Sequence, residues 1–199
     1  MKTILLATNN QNKVLEMKEA FQANNLKEYE IISLKELNVT KEPIENGLTF
    51  DENALIKASY YKKIFKDYLV IADDSGLLVD SLNGVPGVYS KRYSAPYPTP
   101  KKNRRKLIDA LKDKDNRNAH FETSLCLIDE NDKVYYFHGR TNGYILDHEV
   151  GNNGFGYDAI FYSTEINKPF GLISMYEKNQ ISHRGKAIKE LVKFLKLYN

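Results

Sequence analysis

The chain predicts a mixed α/β fold, and three observations carry that reading. The apolar run Thr3-Ile4-Leu5-Leu6-Ala7 passes through a polar turn into a segment with helical spacing. From Phe50 to Phe65 apolar residues recur every three or four positions. The segments Phe121–Ile128 and Lys133–His138 alternate in the manner of paired strands.

In chain order, Thr3–Ala7 reads as a buried strand and Thr8-Asn9-Asn10-Gln11-Asn12 as an Asn-rich turn. Val14, Met17 and Phe21 then give a helix from Lys13 to about Asn24. Ile31-Ile32 suggests a second strand, and Glu42–Gly47 a loop. Thr49 and Glu52 form a capping box, T-x-x-E, ahead of the helix marked by Phe50, Ala54, Ala58, Tyr61 and Phe65. A strand from Tyr68 ends at Asp73, with Leu77-Leu78-Val79 able to pair back onto it. Asn83–Pro100 reads as a long proline-containing loop and Asn103–Lys112 as a basic helix. Phe121–Ile128 and Lys133–His138 make an antiparallel hairpin turning at Asp129–Asp132. Val150–Asp158 is glycine-rich. Ser174 and Glu177 form a second capping box, and Ile188, Leu191, Val192 and Leu195 mark an amphipathic C-terminal helix.

The length suits one large domain or two small lobes. With 29 basic and 26 acidic residues the net charge is +3, too mild for a protein that coats nucleic acid. The single cysteine, Cys126, excludes an intrachain disulfide and sits in an apolar stretch, as a buried structural thiol does. No apolar run approaches the roughly 18 residues of a membrane helix. The N-terminus lacks a signal-peptide pattern, so a soluble, cytoplasmic protein is expected.

Four clusters could carry chemistry. Asp73 and Asp74 follow the apolar run Tyr68–Ala72, where two carboxylates repel and resist desolvation. They fit either a tight hairpin turn, with Ser75-Gly76, or a Mg²⁺ site completed by Glu45. As neighbours on a strand they point to opposite faces and take different tasks. Thr8, Asn9, Asn10, Gln11, Asn12 and Lys13 surround a strand-to-helix turn that can bind phosphate. Taken alone, an ordinary capped helix with a solvated lysine is the simpler reading, since no P-loop pattern is present. Gly151–Asp158 offers glycines for close approach, Phe155 and Tyr157 as stacking faces, and Asp158 as an acceptor for ring N–H groups. Lys178, His183 and Arg184 gather donors near the start of the last helix, suited to a base carbonyl or a phosphate, or else simply solvated. His120, His138 and His148 show no metal-ligand spacing.

The order of these motifs resembles the inosine/xanthosine triphosphate pyrophosphatase family. The match runs through Ala7-Thr8-Asn9-Asn10 with Lys13, Gly47-Leu48-Thr49-Phe50 with Glu52-Asn53-Ala54, and Ala72-Asp73-Asp74-Ser75-Gly76-Leu77. It continues through Leu82–Ser90, Gly154-Phe155-Gly156-Tyr157-Asp158, Lys178-Asn179 and Ser182-His183-Arg184-Gly185. The resemblance implies one domain over residues 1–199, with a long central mixed β-sheet, helices on both sides, and two lobes flanking an active-site cleft. It implies hydrolysis of ITP, dITP and XTP to the monophosphate and pyrophosphate, Mg²⁺ as cofactor, and a homodimer. No nucleic-acid or membrane partner is expected.

By position, the resemblance makes Asp74 the catalytic acid-base residue and a metal ligand, with Glu45 as its partner at the metal and Asp73 in support. Thr8 to Lys13 would hold the phosphates, with Lys57 and Ser75 nearby. Phe155 would stack on the base, Gly156, Tyr157 and Asp158 would shape its pocket, and Lys178, His183 and Arg184 would read the base and bind phosphate. The chain departs from the family pattern at Ala159 (commonly Pro), Gly171-Leu172 (commonly Ala-Glu), Lys91 (commonly Ala) and Ala95 (commonly Gly). The alternatives are a Maf-type nucleotide pyrophosphatase, against which the His183-Arg184 pair argues, and a non-catalytic nucleotide- or RNA-binding module, which has no need of an acidic centre.

Overall fold

A computed structural model describes residues 1–198. Its elements are β1 (Lys2–Leu6), α1 (Gln11–Ala23), β2 (Tyr29–Ser33), α2 (Phe50–Lys62), β3 (Leu69–Val79), α3 (Pro100–Ala110), β4 (Asn118–Ile128), β5 (Val134–Ile145), β6 (Phe161–Ser163), β7 (Lys168–Pro169), α4 (Met175–Ile181) and α5 (His183–Leu197). The strands form one sheet in the order β2-β1-β3-β4-β5-β6-β7. β1 runs parallel to β2 and β3, whereas β6 is antiparallel to β5 and β7, so the sheet is mixed.

The chain divides into two compact units. The first comprises Met1–Asp74, Thr123–His138 and Ala187–Asn199, and the second Ser75–Glu122 and Gly139–Lys186. In the first unit, the two-residue period of the strands sorts apolar side chains between two cores. Ile4 and Leu6, Leu69 and Ile71, and Leu125 and Leu127 pack with Val14, Met17 and Phe21 of α1 and Ile188, Leu191, Val192 and Leu195 of α5. The residues between them, Leu5, Ala7, Val70, Ala72, Cys126 and Ile128, pack with Ala54, Ala58 and Tyr61 of α2. Helices therefore cover both faces of the sheet here. In the second unit, Leu77 and Val79, Ala119 and Phe121, and Ile145 close on Leu107, Leu111, Tyr157, Phe161 and Phe170.

Caps set the helix starts. Both sequence-read capping boxes form, Thr49 with Glu52 and Ser174 with Glu177. Asn10 caps α1 by accepting the Asn12 N–H at 3.0 Å. α3 begins at Pro100 rather than Asn103, because Thr99 caps it and proline suits a first helical turn. α2 stops at Lys62, short of Phe65, whose N–H still reaches the Tyr61 carbonyl at 2.8 Å. The expected proline loop contains a 3-10 turn at Gly87–Arg92.

One correction bears on function. Asp73 and Asp74 do not end a strand, and Ser75-Gly76 is not a turn. β3 continues unbroken to Val79, so Leu77–Val79 extends that strand instead of folding back on it. β3 lies between β1 and β4, and ladder pairing there overrides the turn preference of Ser and Gly.

Candidate active site

The carboxylates of β3 inherit its alternation. Asp73 follows Leu69 and Ile71 onto the α1 face, where Lys13 Nζ lies 2.7 Å from its Oδ2. Asp74 follows Val70 and Ala72 onto the α2 face, where Asn53 Nδ2 donates to its Oδ2 at 3.0 Å. Lys57, one helical turn beyond Asn53, places Nζ 3.0 Å from Glu45 and 3.8 Å from Asp74. Lys13 is thus an ion-paired side chain rather than a solvated one.

Burial raises the Asp74 pKa above the ordinary carboxylate range, against the opposing pull of Lys57 and the Asn53 hydrogen bond. Burial also pulls on Lys57, but the fields of Asp73, Asp74 and Glu45 outweigh it and leave its pKa raised. The ammonium is therefore held charged among three carboxylates.

Asn53, matched as part of a motif but given no task from sequence, is the joint of this set. It is almost wholly buried, accepts the Gly47 N–H at 2.8 Å, and donates to Asp74. The Glu45–Gly47 loop is thereby tied to the Asp74 carboxylate. A Cβ on Gly47 would crowd Glu52 and Asn53 at under 3 Å, so the loop requires glycine there.

The turn from β1 to α1 is organised by its own side chains. Thr8 Oγ1 accepts the Asn10 N–H at 3.2 Å, Gln11 Nε2 reaches the Asn9 carbonyl at 3.4 Å, and Asn9 Nδ2 donates to Glu42 at 2.7 Å. α1 has no acid in its first turn, so its positive end faces the turn uncompensated by a carboxylate of its own.

The second unit holds the aromatic and basic residues. Phe155 sits between Gly154 (φ +78°) and Gly156 (φ +61°). Lys178 Nζ lies 4.5 Å and Arg184 Cζ 5.7 Å from its ring centroid. Asp158 Oδ2 accepts both the Phe155 N–H at 2.7 Å and Lys178 Nζ at 2.5 Å. Arg184 Nη2 donates to Ser75 Oγ at 3.2 Å, and the His183 ring stacks on Phe121 at 4.7 Å. Lys178, His183 and Arg184 are all buried, which removes the solvated-helix-start alternative.

Two sequence readings change. Tyr157 offers no open stacking face, for it is buried in the core and its hydroxyl donates to the Ser90 carbonyl at 2.9 Å. Asp158 Oδ2 is not directed at a ring N–H, because it holds the loop and Lys178 in place. Sequence could not separate these from Phe155, since aromatic-Gly-aromatic-Asp does not say which ring turns inward. The Gly171 departure has a physical reason: a Cβ there would run into the Val150 carbonyl, and the Asn153 N–H bonds the Gly171 carbonyl at 3.0 Å. Leu172 is 58% exposed, and nothing in the structure explains its replacement of an acid.

Among the described residues no group of three or more His, Cys, Asp and Glu side chains is set to hold a metal by itself. Glu45 and Asp74 nonetheless fit Mg²⁺. They are two hard oxygen donors drawn to one ammonium, and Mg²⁺ takes one or two carboxylates with substrate phosphates filling other positions. No described helix is long and apolar enough to cross a membrane.

The fold is thus that of an α/β protein whose first unit carries a carboxylate pair facing one lysine beside a polar strand-to-helix turn, and whose second unit carries an aromatic-basic cluster. The chain belongs to the Ham1 family, which it matches over residues 4–194. It is 41% identical over 197 residues to a dITP/XTP pyrophosphatase of Caldanaerobacter subterraneus subsp. tengcongensis, covering 98% of this chain and 96% of the relative. It is 46% identical over 190 residues to a dITP/XTP pyrophosphatase of Desulfotalea psychrophila, covering 94% and 82%. The Ham1 protein structure from Staphylococcus aureus superposes with a TM-score of 0.90 at 38% identity over 100% of both chains.

Proposed function

We propose that this protein is a Mg²⁺-dependent pyrophosphatase of non-standard purine nucleoside triphosphates, converting dITP, ITP and XTP to the monophosphate and pyrophosphate. The observation that carries it is Asp74, a partly buried carboxylate of raised basicity, bonded by Asn53 and facing Lys57. The dITP/XTP pyrophosphatase relatives support the substrate class.

In this reading Asp74 accepts a proton from water as the water oxygen bonds to the α-phosphorus. The bond from that phosphorus to the bridging oxygen breaks, and pyrophosphate leaves. Asp74 and Glu45 would hold Mg²⁺, which when bound neutralises phosphate charge. Lys57 and Lys13 add positive charge, and Thr8–Asn12 with the α1 N-terminus hold phosphate oxygens. Asn53 keeps the Asp74 carboxylate oriented, while Asp73 holds Lys13.

Phe155 stacks on the purine. Lys178, His183 and Arg184 present donors to its 6-oxo group, and Ser75 steadies Arg184. Adenine presents an amino donor at that position and leaves these groups unpaired, which discriminates against it. The chain acts as one domain, in the cytoplasm, as a homodimer, and its removal of these triphosphates keeps deaminated purines out of DNA and RNA.

The test is pyrophosphate release from dITP, ITP, XTP, GTP and ATP with Mg²⁺, beside light scattering for the dimer. Release confined to the first three is expected. Equal turnover of ATP and ITP overturns the base preference, and release from none leaves a nucleotide-binding module.

A further inference from the structure

We propose that Arg104 of α3 is a positioning residue for the loop that presents Phe155, an inference resting on the nucleotide reading of that loop. Arg104 Nη1 donates to the Gly156 carbonyl at 2.8 Å. Glu149 engages two further donors, Nε at 2.9 Å from Oε1 and Nη2 at 3.1 Å from Oε2. The two-point pairing fixes the guanidinium plane, so the third contact to Gly156 is directional.

The loop needs such a restraint. Phe155 lies between two glycines of positive φ, the most permissive backbone available. On its N-terminal side the Phe155 N–H is held by Asp158. On its C-terminal side Arg104 holds the Gly156 carbonyl. The preceding residue of α3, Asn103, donates to the Ser90 carbonyl at 3.2 Å, the same oxygen that accepts the Tyr157 hydroxyl. Asn103 and Tyr157 thus share one acceptor, next to the Gly156 carbonyl that Arg104 holds. In the sequence, Arg104 was only part of a basic helix; its task emerges because α3 packs beside the loop in this unit.

The test compares wild type with Arg104→Met, which keeps the aliphatic stem, and Arg104→Lys, which keeps the charge but not the fork. Amide hydrogen exchange is followed over residues 153–158, α3 and β4. Arg104→Met is expected to speed exchange in 153–158 by about tenfold, the scale of one charge-assisted hydrogen bond, with α3 and β4 unchanged. Arg104→Lys is expected to lie between. On dITP, KM is expected to rise about tenfold with kcat within about twofold, since the loop binds base and not the reacting phosphorus. Unchanged exchange in 153–158 overturns the inference, as does loosening spread through α3 and β4, or a fall in kcat at constant KM. A wild-type chain that releases no pyrophosphate strikes the function, while the exchange result still decides the role of Arg104.

Discussion

Asp73 and Asp74 are neighbours on β3 yet serve opposite faces of it: the first pairs with Lys13 of α1, the second bonds Asn53 of α2. Strand alternation separates two carboxylates that would otherwise repel within one site. Asp74 faces Lys57 together with Glu45, at 3.8 and 3.0 Å from its Nζ, and the field of Asp73 also reaches that ammonium.

Replacing Asp74 should remove turnover without loss of stability. Its folded pKa is raised by burial, so the folded chain binds this proton more tightly than the unfolded chain. Its effect on stability is therefore most favourable at acid pH and fades as pH rises through the folded value. At neutral pH the ionised group is a cost. Asp74→Asn is expected to lower kcat by about 10²–10⁴-fold while Tm at neutral pH stays equal or rises. A kcat within about threefold of wild type removes Asp74 from the chemistry.

Lys57 tunes that same carboxylate. Its positive charge is the largest influence holding the Asp74 pKa down against burial. Lys57→Met should let that pKa climb further. At constant Mg²⁺ the acid limb of kcat/KM is expected to move to higher pH, and an unmoved limb would show that Asp74 does not set it.

Gly154 and Gly156 both have positive φ, but their surroundings differ. A Cβ on Gly154 would strike the Asp158 carboxylate, whereas one on Gly156 meets nothing within 4 Å. Gly154→Ala is expected to destabilise by about 2–4 kcal/mol in urea and to raise KM, because Asp158 loses its hold on Phe155 and Lys178. Gly156→Ala should cost only the backbone preference, about 1–2 kcal/mol. Equal losses for the two would show that the Asp158 contact carries no energy.

Cys126 lies on the α2 face of β4, and burial pushes its thiol up to about 12. A thiol-specific disulfide reagent at pH 8 is expected to leave the folded chain unmodified and to titrate one thiol after unfolding. Rapid reaction in the native state would mean that this core opens readily.

What the sequence revealed was what local chemistry decides. Thr49 with Glu52 and Ser174 with Glu177 cap their helices through contacts three residues apart, and such signals need no tertiary context. The apolar run Leu125–Ile128 fits a strand because successive residues enter cores on its two faces. Ser75-Gly76 misled because its turn preference is local, while the strands that neighbour β3 in the sheet come from distant parts of the chain. Asn53 and Arg104 were equally hidden: each acts through a backbone group, Gly47 N–H and Gly156 C=O, whose proximity only the fold creates. Motif order picked out both aromatics of the glycine-rich loop, but it did not show that Tyr157 turns inward while Phe155 does not.

The unbroken course of β3 also sets what this gene can tolerate. A conservative substitution at Val70 or Ile71 disturbs one core contact. Deleting a single codon between those for Leu69 and Ala72 would rotate everything downstream by half a strand period. Asp73 and Asp74 would then trade helices, carrying Asp74 to Lys13 and turning Asp73 toward Lys57. Drift in residue identity is open to this segment; drift in its length is not.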